Sequence, residues 1–116
     1  MEFLSKDQIL STQDLKTEII EIPEWNCKLR ISEMTGFARD RYEESCLGKK
    51  GGVNLVNIRA RLAAATVVDE NGDLMFTEKD IIKLGNKSGA ALNRIYEAAQ
   101  RINKINDNDV EELAKN

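Results

Sequence analysis

The repeat of apolar and polar positions changes along the chain, and each change marks an element. Over residues 17–22 the period is two: Ile20 and Ile22 fall on one side of a strand and Glu21 on the other. Cys27–Ile31 repeats the pattern, with Leu29 and Ile31 opposed to Lys28 and Arg30. Pro23 cannot donate to a sheet ladder, so Pro23-Glu24-Trp25-Asn26 reads as the turn of a β-hairpin spanning 17–31. Pairing of its strands brings Glu21 toward Lys28 or Arg30.

Beyond the hairpin the period becomes helical. Thr35 suits an N-cap for a helix over 35–46, with Ala38, Tyr42 and Ser45/Cys46 on one narrow face and Phe37 beside it. A second helix is predicted over 54–68 as the central core helix, its stripe being Leu55, Ile58, Leu62 and Ala65. The run Ala63-Ala64-Ala65 allows a neighbour to approach closely. Thr77 with Asp80 three positions on opens a short helix over 77–85, stopped by Gly85. Ser88 or Asn86 starts the next, 88–103, with Leu92, Ile95, Tyr96, Ala99 and Ile102 as its stripe.

Shorter pieces complete the reading. Ser5 caps a helix from Lys6 to about Leu10, and residues 107–116 form a frayed terminal helix with Asn108 at the cap and Val110 and Leu113 apolar. Asn71-Gly72 reads as a tight turn, and "CLGKKGGVN" as a mobile loop. The sum is one domain over 1–116 of α+β, mainly α class: a small N-terminal β-hairpin followed by a bundle of about four helices.

Composition narrows the chemistry. The 116 residues contain 17 Lys+Arg against 20 Asp+Glu, a net charge of −3, and no histidine. That balance gives no general attraction for nucleic acid or an anionic membrane. Without histidine there is no Ser–His–Asp or Cys–His catalysis and no ordinary zinc site from two cysteines outside any CxxC pair. Cys27 and Cys46 are expected as reduced thiols. The glycine–lysine loop lacks the order and the leading strand of a phosphate loop, and "DENGDLMF" places its glycine at position 4 of a calcium loop rather than 6. No cofactor and no metal site are expected, and no enzyme. No apolar run is long enough to cross a bilayer, and the first residues lack signal-peptide order, so a cytosolic protein is expected.

Several stretches in order, "FLSKDQIL", "EIIEIPEW", "MTGFARDRYEE", the block "NIRARLAAATVVDENGDLMFTEKDIIKLGNKSGAALNRIYEAAQRIN" and "DVEELAKN", resemble the tail assembly chaperones of long, non-contractile-tailed phages and prophages. The resemblance spans essentially the whole chain. Its most specific parts are Thr35-Gly36 followed by Arg39-Asp40 and Tyr42-Glu43, and "VVDENGDLMFTEKDIIKLGNKS" leading into an Ala-rich helix. "CLGKKGGVN" departs from it, being basic and glycine-rich where a more neutral linker is expected. The resemblance implies a non-enzymatic protein of the host bacterial cytoplasm, absent from the mature virion. Its implied partners are the tail tape-measure protein and the tail tube protein, with a homo-oligomer as a further expectation. It also implies two translated forms, of which this chain would be the short one.

A tape-measure chain is mostly long helix, so apolar helix-in-groove contact is the expected mode of recognition. Trp25 at the hairpin tip is the leading contact, against the alternative that it folds back over the hairpin edge. Phe37 and Tyr42 are candidates whose helical spacing also fits a core role. Arg41, Arg59 and Arg61 could meet acidic faces of a partner, with a solvated surface as the plainer reading. Leu113 is the candidate on the terminal helix. Two rival readings stand beside the chaperone: a structural tail or head–tail joining protein retained in the particle, and a small DNA-binding regulator using "EKDIIKLGNKSGAALNRIY" as a helix–turn–helix. Few basic residues on the would-be recognition helix weigh against the latter.

Overall fold

The structure is a computed structural model, describing residues 1–106 and 108–115. The hairpin forms where alternation predicts it: β1 (Thr17–Ile22) pairs antiparallel with β2 (Cys27–Ser32), and Glu21 lies opposite Lys28. The inward row of Ile20, Ile22, Leu29 and Ile31 faces the helices, while Ile19 is left on the outer face. The turn is one 3-10 turn, Pro23–Trp25, closed by Asn26 in the left-handed region at φ 49°.

Five helices follow the hairpin rather than about four: α2 (Gly36–Ser45), α3 (Ile58–Thr66), α4 (Ile81–Gly85), α5 (Gly89–Asn103) and α6 (Asp109–Lys115). With α1 (Lys6–Ser11) ahead of the hairpin, the described residues hold six helices. Side-chain caps set several starts: Ser5 Oγ accepts from Gln8 N–H, Thr35 Oγ1 from Ala38 N–H and Ser88 Oγ from Ala91 N–H. Glycine and serine at the ends of α4 and α5 separate two helices that periodicity had already divided. Asn108 precedes the first residue of α6, and its carbonyl accepts the Glu112 N–H at 3.0 Å. The limits expected for that helix at 107 and 116 lie outside the described residues.

The helix predicted over 54–68 is shorter at both ends. Asn54 Oδ1 captures the Val56 N–H at 3.1 Å, and Asn57 takes the left-handed conformation at φ 53°. A side chain that satisfies the backbone locally competes with helix, and this one wins. Leu55 therefore lies in a loop, 59% exposed, rather than in the core stripe. At the other end Val67–Val68 leave the helix as β3, pairing with Ile31 and Arg30 as a third, antiparallel strand. Two β-branched residues beside an open strand edge gain more from the sheet than from another helical turn.

After β3 the chain reverses at Gly72, whose φ of 86° is open to glycine at no steric cost. The Asp69 carboxylate accepts the N–H groups of Asn71 and Asp73 at 2.8 and 3.0 Å, which uses it as a turn former. The 47–53 loop, expected to be mobile, is a hydrogen-bonded turn: Leu47 pairs with Val53, and Gly48 N–H donates to Gly52 O at 3.0 Å.

Buried side chains form one cluster between the sheet and α2, α3 and α5. Ile22, Ile31, Leu62, Val67 and Ile95 are fully enclosed, each contributing about 1.5–3 kcal/mol by burial. Ala60, Ala63, Ala91, Ala98 and Ala99, also buried, let α3 and α5 pack closely, as the alanine run suggested.

Candidate protein-binding surfaces

The hairpin tip rests on α5. Trp25 is half-buried against the core there, so it covers the molecule more than it projects from it. Glu24 anchors the same turn: Arg94 Nε donates to both its carboxylate oxygens, at 2.8 and 3.1 Å. That hydrogen bond, reinforced by the guanidinium charge, holds the Glu24 carboxyl below the usual carboxylate range. A second exposed pair, Arg101 with Glu18 at 2.6 Å, ties the far end of β1 to α5.

Phe37 and Tyr42, neighbours in the predicted stripe, part company. Five helical positions rotate a side chain by about 140°, so both cannot face one core. Tyr42 goes inward, 5% exposed, and Phe37 outward, 73% exposed. Tyr42 is therefore a core residue and not part of a surface offered to a partner. Burial, together with the Cys46 thiol beside it, pushes its phenol well above the ordinary tyrosine range. Phe37 stays at the surface under the Arg41 guanidinium, 5.7 Å from the ring centroid, and Arg41 in turn pairs with Glu78 at the start of the 3-10 turn leading to α4. Ile82, one turn beyond Glu78, is as exposed as Phe37.

Arg59 and Arg61 differ in the same way. Arg59 is exposed, lies over the Tyr96 ring at 5.4 Å and donates to Asn93 Oδ1 at 3.1 Å. Arg61 is a clamp: its guanidinium donates to the carbonyls of Val56 and Asn54, at 2.9 and 2.7 Å, and to Ser45 Oγ at 2.8 Å. It holds the 54–57 loop to the end of α2, which makes its role internal.

Leu113 is half-buried on α6, one turn from buried Val110. Between this helix and the body lies a cavity of about 100 Å³ bordered by Tyr42, Val53, Leu55, Ile58, Tyr96 and Ile105. Val110 and Glu111 close it from the side of α6.

One surface escaped the sequence reading. Met1, Phe3, Leu4, Ile9, Leu10 and Leu15 are all exposed, and α1 buries nothing. The legible signal was Ser5-Lys6-Asp7-Gln8, a complete capping box at 2.8 and 3.2 Å, opening a helix with apolar residues but no polar-to-core stripe long enough to pack.

What the described residues bring together is apolar contact area on an α+β, mainly α scaffold, with most arginines already engaged. The chain is similar in structure to the tail assembly chaperone of bacteriophage HK97, with a TM-score of 0.60 over 88% of this chain and 93% of that one. Sequence identity is 17%, so the likeness is one of fold. No protein-family model matches the sequence, and no curated protein does.

Proposed function

We propose that this chain is a phage tail assembly chaperone. In this reading it binds the tail tape-measure protein, helps recruit tail tube subunits around it, and leaves before the virion matures. It acts in the host bacterial cytoplasm, without catalysis, alone or as a homo-oligomer. The observation that carries the reading is the fold shared with the HK97 chaperone over nearly the whole length of both chains. The exposed apolar side chains on α1, Phe37 and Ile82 supply the contact area that holding an extended client requires. The DNA-binding alternative is weakened because Arg94 and Arg101, the basic residues of its recognition helix, pair with Glu24 and Glu18.

The test is the gene's own neighbourhood followed by capture. A very long helical reading frame just downstream, co-purifying with the tagged chain when the two are co-expressed, is the expected result. Mass spectrometry of purified virions should lack the chain. Its presence there in stoichiometric amounts would favour the structural tail or head–tail joining protein instead. Failure to capture the downstream product would overturn the chaperone reading.

A further inference from the structure

The long edge of the sheet is left open. Strand order is β1-β2-β3, so β1 is an edge strand, six residues in unbroken register with no proline, lysine or bulge to blunt it. The opposite edge is short, and Val68 of β3 is already bridged to Leu74. The parity of the ladder is fixed at its end. Glu33 N–H donates to Lys16 O at 2.8 Å, and these two residues face each other one step beyond the pairing of Thr17 with Ser32. Hydrogen-bonded pairs alternate along an antiparallel ladder, so Glu18, Ile20 and Ile22 turn their N–H and C=O groups toward β2. Thr17, Ile19 and Glu21 turn theirs away from it. Among the described residues no hydrogen bond reaches those groups, and the three side chains are exposed on the outer face.

A second copy of the chain fits this edge by symmetry. A twofold axis perpendicular to the sheet keeps inner face beside inner face and sets odd positions against odd ones. Placed at Ile19, it sets Thr17 against Glu21 of the second copy, Ile19 against Ile19 and Glu21 against Thr17. Each pair exchanges both N–H···O bonds, about six in all, so every outward group of the three residues is used. An axis at Ile20 instead sets Thr17 against Pro23, which has no N–H to give. The side chains agree with the first register. A Thr17 hydroxyl meets a Glu21 carboxylate, Ile19 meets its own copy, Glu18 faces Ile20 and Lys16 faces Ile22, with no like charges directly opposite. Leu15, also exposed, continues the outer row against Pro23. Because α5 lies across β1 and β2, the two α5 helices come to stand two strand spacings apart, about 10 Å, which is a helix-packing distance.

We propose that two copies of this chain associate edge to edge through β1, antiparallel about a twofold axis at Ile19, joining their sheets into one. The inference gives the homo-oligomer of the chaperone reading a defined contact, but rests on the sheet alone.

Sedimentation of the full chain across a concentration series should show monomer passing to dimer. Ile19→Pro removes a central N–H that faces away from β2, so the β1–β2 ladder survives while the dimer is lost. Ile19→Lys keeps the backbone, puts two like charges on the axis and loses the dimer as well. Disulfide trapping in a Cys27→Ser background, with Cys46 buried, reads the register. Ile19→Cys chains should crosslink to each other under mild oxidation. Thr17→Cys and Glu21→Cys chains should crosslink when mixed but not singly, because like positions then lie about 13 Å apart. A chain that stays monomeric at every concentration would overturn the proposal. So would a dimer that survives both Ile19→Pro and Ile19→Lys, or rapid crosslinking of Glu21→Cys with itself. Failure of the wild-type chain to capture the long downstream product would overturn the chaperone reading, while sedimentation and trapping still judge the edge.

Discussion

Asn103 and Met34, 69 positions apart, are joined by a buried hydrogen bond: Asn103 Oδ1 accepts the Met34 backbone N–H at 2.7 Å. The same amide donates through Nδ2 to Ala99 O at 2.9 Å and to Ser32 O at 3.4 Å. The Asn103 carbonyl accepts from Arg39 at 2.8 Å. The end of α5 is thereby locked to the link between β2 and α2, which the core alone would leave free to slide.

Asn103→Ala leaves a buried N–H without its acceptor, at a cost of about 1–3 kcal/mol. Urea unfolding should show a lower midpoint with an unchanged slope. A loss under about 0.5 kcal/mol would mean that water or a rearranged neighbour satisfies Met34.

Tyr42 sets an alkaline limit. Its folded pKa is raised by burial, whereas an unfolded tyrosine titrates near 10. Its stabilising contribution is therefore complete below about pH 10 and is lost as pH rises toward the folded value. The loss approaches about 1.4 kcal/mol per pH unit at most. Tyr42→Phe should flatten the fall in stability between about pH 10 and 11.5, read from urea midpoints at each pH. Parallel curves for the two chains would show that the Tyr42 hydroxyl reaches solvent in the native state.

The two thiols should react in two steps. Cys27 is exposed on β2, while Cys46 is fully buried with Arg61 3.5 Å from its sulfur. A colorimetric thiol reagent should modify one cysteine at once and the other only at the rate of opening or on denaturation. Cys27→Ser should remove the fast phase alone. Two fast thiols would show that the end of α2 opens readily.

Sequence patterning read the hairpin and, to within a residue, the limits of α2 and α5, because alternation, caps and glycine stops agree there with the tertiary structure; it left Glu21 facing either Lys28 or Arg30, and the strand register selects Lys28. It failed at residues 54–57 and 67–68, where a local asparagine hydrogen bond and a distant strand edge decide the backbone; neither appears as a period. The candidate surface was half legible. Phe37 and Arg41 are exposed, but Tyr42 and Arg61 serve the interior, and the sign of such a residue depends on a helix rotation and a loop path that spacing leaves open. The N-terminal apolar residues were passed over because a short apolar segment looks the same whether it packs or projects.

That arm gives the last prediction. The chain is first tied to the body at Lys16, whose N–H donates to Glu33 Oε1 at 3.1 Å and whose carbonyl accepts the Glu33 N–H at 2.8 Å. Ahead of it, α1 is held by its own capping box and buries no residue. Deleting residues 1–12 should therefore change stability by no more than about 0.5 kcal/mol, the range of ordinary surface substitutions. Brief chymotrypsin treatment should cut at Phe3, Leu4 or Leu10 while the remaining body keeps its cooperative unfolding. The deletion should also reduce capture of the long downstream product, because it removes Met1, Phe3, Leu4, Ile9 and Leu10, five exposed apolar side chains whose contact area the fold itself does not use. Destabilisation by more than about 1 kcal/mol would show instead that the arm packs on the body in solution. Unchanged capture would assign client holding to the rest of the surface.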